Sequence, residues 1–326
     1  MSVEPQGTNL ESPASMLKRE QGMNWRNPFK RILDNPVVLK ELRGRMRDRR
    51  AFTLLTVYLG AIAVLIGFIY MTMATESSSF GWNPNLRQQV GKTIFGAVIL
   101  LELLLVSFIG PGLTAGAITT EREHQTFDLL RTTLLSARSL VLGKLGSAFT
   151  YLFLLILTAL PIQSLAFLLG GVGVGEMVAA SLMLVVTAIS VCTLGIFFSS
   201  FMKRTLTATV NSYGSILLSF LLIVLIFLLI AYIENISPNN NHASPARQYL
   251  LTMLTWFLIS TNPFLAAIMS ETILVDDQSL FLTQQSIFGG TSYYLLSPWI
   301  IYVVFHLVLT LLLIFLSIHK VKRPDR

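Results

Sequence analysis

Several apolar runs in this chain are too long for any soluble fold to bury economically. Six of them, at about 52–73, 93–118, 142–169, 177–201, 206–233 and 297–318, match or exceed the roughly 18–20 apolar residues that cross a bilayer. In hydrocarbon every backbone N–H and C=O must be satisfied within the protein, so runs of this kind become helices. Composition agrees: 53% of residues are hydrophobic and only 13% charged, against about 25% charged in a soluble domain. The expectation is an all-α, multi-pass membrane protein with six transmembrane helices.

The cations orient these helices. With the N-terminus in the cytoplasm, the N-terminal region holds 11 Lys and Arg. The segment 119–144 adds Arg122, Arg131, Arg138 and Lys144, the turn after the fourth span adds Lys203 and Arg204, and the C-terminal tail adds four more. Only Arg87, Lys92 and Arg247 are left outside. This bias follows the positive-inside rule and places both termini in the cytoplasm of a cell (inner) membrane protein. The net charge of +7 thus lies at membrane edges and does not point to nucleic acid. The single cysteine, Cys192, sits in an apolar run and reads as a small packed side chain. No C-x-x-C metal motif accompanies it.

The stretch 249–275 is different. Its first apolar run is about a dozen residues long and is interrupted by Asn262-Pro263; runs of that length are more often interfacial or re-entrant. A true span here would also put the basic C-terminal tail outside. The segment is therefore expected to dip into the membrane from outside, within a polar external loop over 234–296. At the other end, residues 1–27 are polar and lack the apolar core of a signal peptide, which predicts a flexible cytoplasmic tail. Residues 28–50 interleave Val38, Leu39, Leu42 and Met46 with Lys40, Arg43, Arg45, Arg47, Arg49 and Arg50. That pattern predicts a basic amphipathic helix lying on anionic headgroups of membrane lipids, anchored by Lys40, Arg43, Arg47 and Arg50. The simpler reading is a cluster of charges that only sets topology. The transmembrane domain proper covers 51–320, and 321–326 form a second cytoplasmic tail.

The longest charged interruption after the N-terminal region is Thr119–Arg138, TTEREHQTFDLLRTTLLSAR. Thr119 or Thr120 is suited to cap a helix, and Glu121 and Glu123 in its first turn complement the helix dipole. Phe127, Leu130 and Leu134 share a face, leaving Arg122, Glu123 and His124 for a protein partner. Read from its residues alone, this is either a docking helix or a solvated connection between spans 2 and 3.

The segment GAITTEREHQTFDLLRTTLLSARSLVLGKL resembles the permeases of ABC-2 type transporters. Their loop between the second and third spans reads approximately E-R-E-x-G-T, then a hydrophobic and acidic stretch, a Thr-Pro-Leu-Ser-like turn and G-K. Glu121-Arg122-Glu123, Thr126, Leu129, Leu130, Ser136 and Gly143-Lys144 match it. Gln125 replaces the usual Gly, Asp128 the usual Glu and Leu134 the usual Pro. NPVVLKELRGRMRDRRAF is similar to the interfacial helix of these permeases, and Asn262-Pro263-Phe264 to their external segment. The resemblance implies a permease subunit of an ATP-driven exporter, with residues 119–138 as a cytoplasmic coupling helix. Its coupling residues would be Glu121, Arg122, Glu123, Thr126, Phe127, Asp128 and Leu130. It also implies two partners, a cytoplasmic ATPase that holds the ATP and a second permease, identical or similar. No cofactor is expected on this chain.

Other features of the sequence carry weaker signals. Gly91-Lys92-Thr93 ends like a phosphate loop, but Leu86 stands where the first glycine belongs. Gly171, Gly173 and Gly175 form a tight turn with no strand before it. Glu102 lies inside the second span, where a carboxylate is expensive and is a candidate for the path or a subunit contact. With His306 it gives the alternative function, a proton-coupled secondary transporter. Pro161 predicts a kink in the third span, with Gln163 near it as a hydrogen-bonding group. Ser215 and His306 are the one pair an intramembrane hydrolase would require.

Overall fold

In a computed structural model the chain is described at residues 44, 49–76, 84–126, 136–236, 245–277, 280–287 and 291–322. Its elements are α1 (Arg49–Glu76), α2 (Pro84–Thr114), α3 (Thr119–Glu123), α4 (Ala137–Leu168), α5 (Val174–Phe201), α6 (Thr205–Ile236), α7 (Pro245–Thr261), α8 (Pro263–Asp277), β1 (Leu282–Ile287), β2 (Thr291–Leu296) and α9 (Pro298–Lys322). Among the described residues, six helices are long and apolar enough to cross a membrane, as expected. The tail 1–27, nearly all of the basic segment 28–50 and residues 323–326 lie outside the described residues.

The sequence sets the breaks between helices. Ser136 caps α4 by accepting from Ser139 N at 3.2 Å, and α4 then runs unbroken through Pro161. Gly170, in the left-handed region at φ 80°, ends that helix. Between α7 and α8, buried Asn262 accepts from the N–H groups of Phe264 and Leu265 at 2.9 and 3.2 Å. With Pro263 in the first helical position, this is a helix start built inside an apolar run. The two helices meet there at a bend of 112°, so 249–275 is not one straight span.

Helix α5 is the centre of the bundle, packing against α2, α4, α6, α8 and α9. Small residues let the backbones approach: a Cβ on Gly195 would collide with Thr114 of α2. The main core joins Tyr58 and Ile62 of α1 to Val98 and Leu103 of α2, Leu152 and Leu155 of α4, and Leu184 and Ile196 of α5. By contrast, α1 and α6 lie mostly exposed, with 11% and 12% of their spanning windows buried. Tyr213 ties α6 to the bundle by donating to Phe108 O at 2.7 Å.

One element was not expected. The loop after α8 contains an antiparallel hairpin, with Leu282 opposite Leu296 and Ile287 opposite Thr291. Its base is pinned by two indoles. Trp256 Nε1 donates to Leu296 O at 2.9 Å and Trp299 Nε1 to Leu280 O at 2.8 Å.

Candidate functional site

The segment singled out by its charges forms a corner where α2 gives way to α3. Its start is not capped by a local side chain. Ile118, the cap position, keeps helical backbone angles and makes no side-chain cap, so neither Thr119 nor Thr120 is the N-cap that the local sequence predicts. The donors are met from another helix: Ser199 Oγ, at the end of α5, accepts from Ile118 N at 2.8 Å and Thr119 N at 3.1 Å. Thr119 turns back on Ala115 O at 3.2 Å.

The end of α3 is a Schellman motif. Thr126 N donates to Glu121 O at 3.0 Å and Gln125 N to Arg122 O at 3.1 Å. This closure requires a left-handed residue, and Gln125 supplies it at φ 58°. That is the position where the resembling permeases carry glycine, which explains their preference in physical terms. Thr126 is exposed and adds its hydroxyl to Glu121 O at 3.2 Å.

Each charged residue of Glu121-Arg122-Glu123 is tied to a different helix. Lys144 of α4, 4% exposed, donates to Ala117 O and to Glu121 Oε1, both at 2.6 Å. The first and last charged residues of the family-like motif therefore meet as an ion pair. Arg122 Nη1 donates to Met202 O, at the end of α5, at 3.1 Å. Glu123 accepts from Thr205 N at 2.7 Å and from Thr205 Oγ1 at 2.8 Å. Thr205 is the first residue of α6, so Glu123 caps that helix from outside and complements its dipole. Of the expected coupling residues, Glu121, Arg122, Glu123 and Thr126 are brought together here, while Phe127, Asp128 and Leu130 lie outside the described residues. Among the expected anchors, Lys40, Arg43 and Arg47 also lie outside, and Arg50 falls in the first turn of α1. Sequence reasoning missed Ser199, Met202 and Thr205, which lie about 80 residues from their partners.

The other expected site residue, Glu102, is wholly buried. Gln163 Nε2 of α4 donates to both its carboxylate oxygens, at 2.9 and 2.8 Å. Tyr58 of α1 is buried in the same core, which places the carboxylate inside the helix bundle, among α1, α2 and α4. His306 is engaged within its own helix, its Nδ1 3.2 Å from Tyr302 O and its ring against that of Tyr302. Ser215 likewise bonds within α6, to Ser212 O at 2.9 Å. Gly91, Lys92 and Thr93 sit inside α2, where helical hydrogen bonding occupies the backbone N–H groups that a phosphate loop would aim at its ligand.

The sequence profile of the ABC-2 family transporter proteins matches residues 36–321, which is most of the chain. No curated protein matches it.

Proposed function

Because the chain belongs to the ABC-2 family of transporter proteins, and is a multi-pass permease subunit of an ABC transporter, we propose that it couples a cytoplasmic ATPase to export through the corner at Thr119–Thr126. Permeases of this family generally work with ABC ATPases. The observation that carries the reading is the tethering of one short turn to three helices. A push on α3 reaches α4 through Lys144, the end of α5 through Ser199 and Arg122, and the start of α6 through Glu123. ATP binds and is hydrolysed on the partner, and this chain holds no cofactor. Both termini and the corner face the cytoplasm of the cell (inner) membrane. A second permease, identical or similar, completes the path, and the exposed apolar faces of α1 and α6 leave room for it and for membrane lipids.

Glu102 acts in this scheme as a bridge between α2 and α4. Its enclosure among helices of one protomer supports that role over a proton carrier or a contact between subunits.

The test is purification from native membranes in mild detergent, with partners identified by mass. A stoichiometric ATPase carrying a phosphate loop is expected. Glu123→Lys and Phe127→Asp should each reduce its recovery or its transport-linked hydrolysis while membrane insertion persists. Reproducible isolation without an ATPase, under conditions that preserve related complexes, would overturn the reading and turn attention to proton-coupled flux with Glu102→Gln as the probe.

A further inference from the structure

The proposed function leaves the β1–β2 hairpin without a role, and its two faces break the usual pattern of a surface sheet. An antiparallel pair with one face on the core turns polar side chains to water. Here the inner face holds Thr283 and Leu295, both buried, and Leu295 packs with Trp256 of α7 and Ile273 of α8. The opposite face carries Leu282 and Leu296, directly paired across the strands, and Tyr294 two residues further along. These three are 53%, 51% and 71% exposed. Phe281, just before them, is exposed too, and its ring lies 6.1 Å from that of Trp299.

Three features identify what meets this face. The first is position. Ser297 N donates to Phe281 O at 3.0 Å and closes the base of the hairpin, and Pro298 begins α9, a helix apolar and long enough to span. At about 3.4 Å per residue, Tyr294 lies about 7 Å along its strand from Leu296. The exposed apolar residues thus stay within the ~5–10 Å over which an interfacial element is buried. The second is continuity. Leu250, Leu254 and Phe257 form one exposed face of α7. The ring of Phe257 lies 5.8 Å from that of Phe305 in α9, next to exposed Val304 and Val308. An apolar surface therefore runs from α9 onto α7, whose Trp256 holds the hairpin at Leu296 O. The third is charge. No Lys, Arg, Asp or Glu occurs between Asp277 and Lys320. A patch for a soluble partner has a polar rim, whereas this one leads into a span. Tyrosine and tryptophan, here Tyr294, Trp256 and Trp299, are the residues of the membrane–water boundary.

We propose that the face bearing Leu282, Tyr294 and Leu296 lies in lipid where α9 enters the bilayer, with the leucines against acyl chains and the Tyr294 hydroxyl at the headgroups. The hairpin then anchors the connection between α8 and α9 to the membrane surface. On the topology proposed above this is the outer leaflet. The contact with lipid does not depend on the coupling role of the corner, and recovery or loss of an ATPase leaves it unaffected.

The test uses the full chain in liposomes of phosphatidylcholine and phosphatidylglycerol, with a nitroxide on Tyr294→Cys, Leu282→Cys, Val308→Cys or Lys203→Cys. All four positions are exposed, so the label displaces no packed side chain. The parent chain, whose Cys192 is buried, controls for background label, and Cys192→Ala replaces it should that thiol react. Spin relaxation by oxygen, which partitions into lipid, is compared with relaxation by a water-soluble nickel chelate. The ratio of oxygen to nickel collisions at Tyr294→Cys and Leu282→Cys is expected to be severalfold above that at Lys203→Cys, the reference in water. It should not exceed that at Val308→Cys, the reference in the span. A ratio at both hairpin positions equal to that at Lys203→Cys would place the face in water and overturn the proposal. Protection from both reagents would overturn it as well, by assigning the face to a protein. Dipolar broadening between labels would then identify that protein as a second copy of this chain.

Discussion

Two polar groupings hold α2 in place, and they are built differently. In mid-span, Glu102 meets Gln163 side chain to side chain. At the corner, Lys144, Ser199, Arg122 and Glu123 all bond backbone groups of another element. A side-chain pair can shift by a rotamer and re-form, whereas a bond to backbone fixes where the chain itself runs. The mid-span pair therefore joins two helices, and the corner ties α3 to α4, α5 and α6, the arrangement that the proposed coupling role needs.

The comparison is broken most severely at Lys144. Its ammonium is nearly buried and joins Glu121 to Ala117 O, while the Glu121 side chain is 25% exposed. Lys144→Met would leave a half-buried carboxylate and a carbonyl without their partner. Removing one member of a fully buried pair costs about 3–5 kcal/mol; with the carboxylate partly in water, about 3 kcal/mol is expected. The measurement is the thermal unfolding midpoint in nanodiscs, alongside ATP hydrolysis by the reconstituted complex. Lys144→Arg should recover part of the loss in both. A midpoint unchanged by Lys144→Met would mean that the corner is no joint.

Next in size is Ser199→Ala, which strands the buried N–H groups of Ile118 and Thr119. At about 1–3 kcal/mol for an unsatisfied buried donor, a loss of about 2 kcal/mol is expected in the same unfolding assay. Ser199→Thr retains the hydroxyl and should lose less. Equal losses for the two variants would assign the effect to packing at the α2–α5 contact instead of to the cap.

These two residues also show what could be read in the sequence. The spans were legible because about twenty consecutive apolar residues admit few other structures, and the break at Asn262-Pro263 was legible because a cap and a helix-starting proline are local signals. Glu121 and Lys144 were legible as members of one motif, though not as an ion pair. Ser199 and Thr205 were not legible: each is a small hydroxyl at the end of a span, and only the fold brings it to a partner about 80 residues away. The misplaced cap at Thr119 has the same cause, since a local rule was applied to a helix start that a distant serine satisfies. The hairpin is another matter. Thr283, Ile287, Thr291, Tyr293 and Tyr294 are strand formers on either side of Gly289-Gly290, a recognised hairpin signal, and the polarity of the surrounding loop obscured it.

A smaller effect is expected in mid-span. Hydrogen bonds between membrane helices average about 0.6 kcal/mol and reach about 1.7. Glu102→Leu, which leaves Gln163 unpaired, should fall in that range, and Glu102→Gln, which keeps an amide bond across the same gap, should fall below it. Unfolding midpoints test the ranking. If Glu102→Gln abolished transport with stability intact, the carboxylate would have to be more than glue, and the contrast with the corner would fail.

The finest test is at Gln125, where the corner departs from the glycine of the family pattern and still makes the Schellman closure. A non-glycine residue in the left-handed region carries about 1–2 kcal/mol of strain, somewhat less for a residue whose side chain is fully exposed and unbranched at Cβ. Glycine would relieve that strain but also gain freedom in the unfolded chain, worth about 0.4–1 kcal/mol against it. Gln125→Gly is therefore expected to raise stability by no more than about 1 kcal/mol, read as a small upward shift of the unfolding midpoint. Gln125→Val, branched at Cβ, should shift it down. The order Gly, Gln, Val follows from the left-handed backbone alone; an order in which Val equals Gln would mean that the turn does not adopt it, and the joint would then end at Glu123.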